Sequence, residues 1–406
     1  MKDILLITNF WHFECEKSSS RYLHLANILS RHGYGLEVVT STFYHRVKKV
    51  REFSKDFLTS FPYKVTLINE PPYSHNISLR RLHSHKIFAR NVISYLSQRK
   101  RPDLILVVIP STYLAENVVK FANNHRIPVV LDIQDLWPEA FQMAFRIPLI
   151  SDICFAPLKK LADEAYKNAD YITAVSQTYV ERGMSVNKKS KQGTAIYLGA
   201  DFDHVQSIVR KSHVNKDPNE FWVSYIGSLG HSYNIKMVIN ALAILKYKGI
   251  VNIKFQIFGN GVLEDEFRYY AKQRGVDAEF WGHRQYDEMI PYLAASEIAV
   301  NPIVGKSVAS IINKVCDYAT AGVPVVNDQN SDEYRNLLEK YHAGLNCENN
   351  NAQQFADAIM KLYQNESLRR QMKEGALRLA REKFDRDKTY LLFVDVIENI
   401  LSSYSK

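Results

Sequence analysis

Lys314 and Asp317 stand three residues apart in the run S-V-A-S-I-I-N-K-V-C-D-Y-A-T-A-G-V-P-V-V-N, residues 307–327. A small-residue loop, 307–310, leads into a helical run over 311–321. Gly322 stops the helix, and a strand begins at Pro324. The first amides of a helix point outward and its dipole favours negative charge, so such a start can hold an anion. The spacing of Lys314 and Asp317 puts both on one helix face. A cation and a carboxylate beside an anion-binding helix start suit a nucleotide: the cation meets phosphate and the carboxylate meets ribose hydroxyls. An amphipathic helix with one surface ion pair has the same local pattern, so the rest of the chain must separate the two.

Other stretches could do chemistry at strand ends. Ser18, Ser19, Ser20 and Arg21 precede a helical pattern and offer hydroxyls, amides and a guanidinium to a phosphate. Plain serine capping explains them equally. Gln134, Asp135, Trp137 and Glu139 follow an apolar run, where a carboxylate could meet sugar hydroxyls or cap the next helix. Glycine clusters close three further runs: Gly227-Ser228-Leu229-Gly230, Gly259-Asn260-Gly261 and Gly282-His283-Arg284. They lack the dinucleotide pattern G-x-G-x-x-G, and the chain has no P-loop, H-E-x-x-H or G-x-S-x-G motif. Two D-x-D pairs, Asp201-x-Asp203 and Asp385-x-Asp387, have no cluster of oxygen ligands in sequence around them, and no metal is expected.

These stretches need elements to position them. The chain has 406 residues, 46% hydrophobic and 23% charged, which describes a globular protein of two or three domains. Its net charge of +9 favours anionic partners, though no nucleic-acid recognition motif accompanies it. The four cysteines lie far apart without C-x-x-C spacing, which fits a reducing cytosol. The apolar run at the N-terminus is too short for a signal peptide, and no stretch reaches eighteen apolar residues. The expected location is therefore cytoplasmic. The basic and aromatic stretch 43–101, with Phe57, Phe61 and Tyr63, allows peripheral contact with an anionic membrane at the inner face of the cytoplasmic membrane; a solvated face is the competing reading.

Short apolar runs alternate with helical patterns from residue 4 to residue 198, and again from 221 onward. The charged segment 203–219 between the two series reads as a linker. Expected domains are 1–202, acceptor-binding; 203–219, linker; 220–384, donor-binding; and 385–406, a terminal helix with Leu391, Leu392, Val394, Ile397 and Ile400 as its apolar face.

The motifs I-L-L-I-T-N-F, V-L-D-I-Q-D-L-W-P-E, A-D-Y-I-T-A-V-S, Y-I-G-S-L-G, I-F-G-N-G, F-W-G-H-R and N-K-V-C-D-Y-A-T-A-G-V-P-V-V together resemble a retaining GT-B glycosyltransferase of the group 1, or family 4, type. The D-L-W-P-E form is similar to members that build bacterial surface polysaccharides from amino or deoxy sugars. The resemblance implies an α/β fold with two Rossmann-like, doubly wound parallel-sheet domains facing a cleft, and a terminal helix crossing back to the N-terminal domain. It implies a nucleoside-diphosphate sugar, commonly a UDP-sugar, as co-substrate, with no cofactor. The acceptor is a saccharide or lipid-linked saccharide.

By the same resemblance, Asp317 meets the ribose. Ser310, Ile311, Ile312 and Asn313 lie at the helix start that holds the diphosphate, with Lys314 assisting. Gly282, His283 and Arg284 flank the base, while Gly227, Ser228, Leu229 and Gly230, with Gly259 and Gly261, approach the nucleotide from the other side. The catalytic set expected is Lys314, Asp317 and Asp135. Some positions depart from the family pattern. Ala309 stands where a Glu is usual, His231, Ser232 and Tyr233 where a basic pair is common, and Gln134 where many members have His. The loop 14–21 lacks the usual Gly-Gly. These departures keep open a nucleotide-sugar-binding subunit without its own transferase activity. A UDP-sugar 2-epimerase of the same architecture is the other alternative.

Overall fold

The computed structural model describes residues 1–16, 21–139, 148–305 and 311–404. The chain divides into two compact units, Met1–Tyr197 with Tyr390–Lys406, and Leu198–Thr389.

The first unit is built on β1 (Asp3–Thr8), β2 (Gly35–Ser41), β5 (Lys64–Ile68), β6 (Leu104–Ile109), β7 (Val129–Ile133), β8 (Tyr171–Ala174) and β9 (Gly193–Ala195), with a small antiparallel ribbon of β3 (Phe43–Tyr44) and β4 (Lys49–Val50). The seven long-range strands are all parallel, in the order β5-β2-β1-β6-β7-β8-β9. Helices cover both faces of such a sheet, so its central strands read as unbroken apolar runs; all six residues of β6, LILVVI, are buried. The terminal helix Leu391–Tyr404 belongs to this unit, and its Phe393, Val394, Ile397 and Leu401 share a core cluster with Ile4, Leu6 and Tyr22. Leu391 and Leu392, expected on its apolar face, are 41% and 39% exposed. The inward stripe runs through 393, 394, 397, 400 and 401, the i, i+3, i+4 spacing of one helix side.

The second unit carries β10 (Phe221–Ile226), β11 (Ile253–Phe258), β12 (Ala278–Gly282), β13 (Ile298–Asn301), β14 (Val325–Asn327) and β15 (Gly344–Asn346). They form one parallel sheet, β12-β11-β10-β13-β14-β15. Its core gathers Val223, Tyr225, Val238, Phe255, Ile298 and Phe355.

Two expectations need correction. The linker 203–219 is helical over Phe202–Lys211, with Phe202 and Val205 buried. Apolar residues at 202, 205, 208 and 209 repeat at helical spacing inside a charged stretch, and Asp201 caps the helix by accepting from the His204 amide at 2.9 Å. Of the aromatics considered for membrane contact, Tyr63 is buried, and Phe57 and Phe61 are half-buried and pack on the first unit's core. Arg51, from the same basic stretch, is also buried, donating to Glu16 and to the carbonyls of Trp11 and Ser41. No helix among the described residues is long and apolar enough to cross a membrane.

Candidate active site

In the second unit the strand order reverses between β10 and β13. Loops leaving the carboxyl ends of two such neighbours diverge and open a crevice. The loop after β10 holds Gly227, Ser228, Leu229 and Gly230. It is laced to the end of β11 and the loop after it by backbone hydrogen bonds, Gly227 N–H to the Phe258 carbonyl and Leu229 N–H to the Asn260 carbonyl, both at 2.9 Å, and that loop is joined to the end of β12 by Gly259 N–H to the Gly282 carbonyl at 2.8 Å. The approach leaves no room for side chains. Gly259 sits at φ 135°, and a Cβ there would lie 1.9 Å from the Gly227 oxygen. Thus Gly227, Ser228, Leu229, Gly230, Gly259, Gly261 and Gly282 converge at one sheet edge. The Leu229 side chain is fully buried in the core, so only its backbone faces this edge.

The crevice's other wall is the helix Asn313–Thr320. It begins two residues later than the sequence pattern implies, with Ile312 in extended conformation as its cap and offering no side-chain hydrogen bond to the first amides. Ile311 is buried and Asn313 exposed. Ser310 lies outside the described residues, as do Ala309 and Lys306.

Lys314 is the defining group. It is only 6% exposed, and its ammonium has no hydrogen-bond partner among the described residues. Its Nζ lies 4.0 Å from the ring centroid of Tyr225 and 3.6 Å from that of Tyr233, held by two aromatic faces. A Cβ on Gly227, whose φ is 137°, would come within 2.8 Å of Nζ. The cation therefore lies directly against the glycine loop. Burial drives its pKa well below the ordinary lysine value.

Asp317, one turn on, accepts a hydrogen bond from the Tyr286 hydroxyl at 2.8 Å. Burial raises its pKa to about 6, against the lowering effects of that bond and of Arg386. Tyr286 belongs to the helix Tyr286–Ala294, which the sequence reading did not assign. His283 and Arg284 are exposed, and the Arg284 guanidinium lies 5.3 Å from the Trp281 ring centroid. Arg284 also lines a cavity of about 430 Å³ with Phe258, Trp281, Asp287 and Tyr292.

Some structural supports had no motif to announce them. Asn301, Asn327 and Asn346 sit in register across β13, β14 and β15, joined by amide hydrogen bonds of 2.9 Å. Beside them, Asp328 accepts from the Ile303 amide at 2.7 Å and Asn349 donates to the Ile303 carbonyl at 2.7 Å. This ladder fixes the chain where it leaves β13 toward the helix start. Tyr233 is placed by the bridge it forms with Ile303. A repeated Asn at strand ends was the available signal.

In the first unit, Asp135 follows β7 and is half-buried; burial raises its pKa against hydrogen bonds from the Trp137 side chain and the Leu136 backbone. Ser18, Ser19 and Ser20 lie outside the described residues. Arg21 is not a phosphate ligand in this structure. Its Nε and Nη2 donate to the two oxygens of Asp132, each at 3.1 Å, and Nη1 donates to the carbonyls of Ile196 and Tyr197. Tyr22 and Thr173 hydroxyls complete the Asp132 shell at 2.8 and 2.7 Å. The guanidinium lies over the rings of Tyr390 and Phe393 and so joins the sheet to the terminal helix. Neither D-x-D pair joins a group of three or more His, Cys, Asp or Glu able to hold a metal among the described residues.

Residues 207–378 match the family model described as glycosyl transferases group 1. An uncharacterized glycosyltransferase of Methanocaldococcus jannaschii is 21% identical over 60% of this chain and 62% of its own length, so the chain spans less than two thirds of that relative. Among solved structures, sucrose-phosphate synthase from Thermosynechococcus elongatus superposes with a TM-score of 0.73 at 13% identity, covering 99% of this chain and 100% of its own. Anabaena HepE in complex with UDP superposes with 0.70 at 17% identity, covering 98% and 100%. An α,α-trehalose-phosphate synthase (UDP-forming) from Burkholderia vietnamiensis gives 0.67 at 11%, covering 98% and 100%. The chain has the GT-B fold, and residues 207–378, within its second unit, match the group 1 glycosyl transferases.

Proposed function

We propose that this protein transfers a sugar from a nucleoside-diphosphate sugar, a UDP-sugar, to a hydroxyl of a saccharide or lipid-linked saccharide acceptor. The observation that carries the reading is Lys314: a buried ammonium that has no hydrogen-bond partner among the described residues, against the glycine loop and beside a helix start whose cap, Ile312, offers no side-chain hydrogen bond. A buried cation of this kind is stabilised when an anion arrives, and a diphosphate supplies that anion. Asp317 on the same helix takes the ribose hydroxyls, and Gly282 to Arg284 flank the base. That HepE was solved with UDP, and also with UDP-glucose, supports the choice of nucleotide.

The first unit takes the acceptor. Its hydroxyl oxygen attacks the anomeric carbon on the face from which the diphosphate leaves, so configuration is retained. The carbon–oxygen bond to the diphosphate breaks, the acceptor hydroxyl's proton passes to the departing diphosphate oxygen, and Lys314 with the helix dipole stabilises the departing charge. Asp135 accepts a hydrogen bond from the acceptor. The chemistry needs no metal in this reading, because the developing charge is met by the chain's own groups. The product class is surface polysaccharide, following the D-L-W-P-E resemblance. The test is release of UDP from UDP-sugars in the presence of saccharide acceptors, followed by mass spectrometry of the product. A sugar-extended acceptor and free UDP support transfer; UDP-sugar that binds and stays intact in every mixture contradicts it.

A further inference from the structure

A second group of buried cationic and aromatic side chains lies in the first unit, at the carboxyl ends of its strands. Arg81, in the first turn of the helix Leu79–Gln98, is 7% exposed, and its Nε has no hydrogen-bond partner among the described residues. One Nη donates to the Asn76 carbonyl at 2.7 Å. The guanidinium lies 4.3 Å from the Trp137 ring centroid. One turn on, His85 stacks on the same indole at 5.6 Å and its Nε2 has no hydrogen-bond partner among the described residues. His45 packs edge-on to Phe10 at 5.0 Å, and Lys48 Nζ approaches His45 Nδ1 at 3.1 Å.

The charges facing this group come from every element around it. Arg81 and Lys48 are cations. Burial, with those two charges adding to it, pushes His45 down to about 3 and His85 well below its ordinary value. The carboxyls present, Glu70 and Asp135, are raised by burial and already accept hydrogen bonds, Glu70 from Ser84 and Asn9 and Asp135 from Trp137. Arg81 is thus a buried cation with an open Nε donor and, among the described residues, no ion pair, beside histidines whose pKa burial lowers first and the nearby cations second. Around it, Phe10, His45, Lys48 and Asp135 are each half-buried.

We infer that this cluster is an oxyanion subsite that selects an acidic acceptor: a saccharide carrying a carboxylate or a phosphate, its charge at Arg81 and Lys48 and its ring against Phe10. The inference rests on the reading that the first unit takes the acceptor. An incoming oxyanion satisfies the open Arg81 donor and relieves the repulsion among the cations.

The test uses the full chain, with and without saturating UDP, in titrations of glucuronate, glucose 6-phosphate, inorganic phosphate and glucose followed by melting temperature and calorimetry. Saturable binding of glucuronate or glucose 6-phosphate, at least about tenfold tighter than glucose and weakened by salt, is expected. Arg81→Gln is expected to remove that preference while UDP binding is unchanged. Should Arg81→Gln fail to fold, Lys48→Met, at a half-buried rim position, decides by the same readout. Glucose binding as well as the charged sugars, inorganic phosphate binding alone with no saccharide preference, or a preference untouched in the folded variants overturns the inference. UDP bound without any preference for charged sugars sinks this inference and leaves the donor site standing; charged sugars bound without UDP binding does the reverse.

Discussion

Arg21 and Lys314 are both buried cations set between aromatic rings, and they do opposite jobs. Arg21 lies over Tyr390 and Phe393, with donors spent on Asp132 and two carbonyls. Lys314 lies against Tyr225 and Tyr233 with no hydrogen bond to its ammonium among the described residues. A buried charge is costly unless paired. The first is paired inside the protein and is therefore structural. Under the proposed function the second is paired by the donor's diphosphate, which would land at the glycine loop against its Nζ.

The largest effect expected from this contrast is in the first unit. Arg21→Met strands the fully buried Asp132 carboxylate with only hydroxyl donors, and denaturant unfolding should show a loss of about 3–5 kcal/mol. Lys314→Met should do the reverse. An apolar group of similar length replaces an unsatisfied charge, so the melting temperature should hold or rise. UDP affinity should fall by roughly 10–100-fold, the loss of about 1.5–3 kcal/mol carried by a hydrogen bond to a charged group. If Lys314→Met destabilises the chain as Arg21→Met does, the two cations are alike and the contrast breaks.

How the sequence led to these two residues is instructive. Helix starts, glycine loops and parallel strands were legible because they rest on local chemistry: apolar runs in β6, the Gly322 stop, and glycines after β10, β11 and β12. Arg21 was misjudged because its partner, Asp132, is 111 residues away, and no local pattern reports such a pairing. The helix Phe202–Lys211 was hidden by its charged face. Tyr233 and Tyr286 reach the site only through tertiary packing, and carry no motif. Asp317 and Lys314 were named from spacing, yet nothing in their spacing distinguishes a surface ion pair from the arrangement found, in which Lys314 is buried against two tyrosines and Asp317 accepts from a third.

Smaller effects sharpen the Lys314 side. Gly227→Ala places a Cβ within 2.8 Å of Nζ at a φ of 137°, so it should cost about 1–3 kcal/mol in stability and displace the ammonium, lowering UDP affinity as well. Asp317→Asn keeps the shape and removes the charge, and should weaken UDP binding by about 1 kcal/mol. The pH dependence has a definite sign. With Asp317 raised from 3.8 to about 6, the folded chain holds that proton more tightly than the unfolded chain, so its contribution to stability declines as pH rises across that window. If, as proposed, the Asp317 carboxylate takes the ribose hydroxyls, UDP affinity should rise as pH passes through about 6 and then level. Titration calorimetry at several pH values should show this rise in the natural chain and its absence in Asp317→Asn.

The most direct test is calorimetric titration of UDP into the natural chain and into Lys314→Met, with melting curves of both. UDP binding by the natural chain, at least about tenfold weaker binding by Lys314→Met, and an equal or higher melting temperature for that variant are predicted. Equal UDP affinity in the two proteins would contradict the assignment of Lys314 as the cation that awaits the donor's diphosphate.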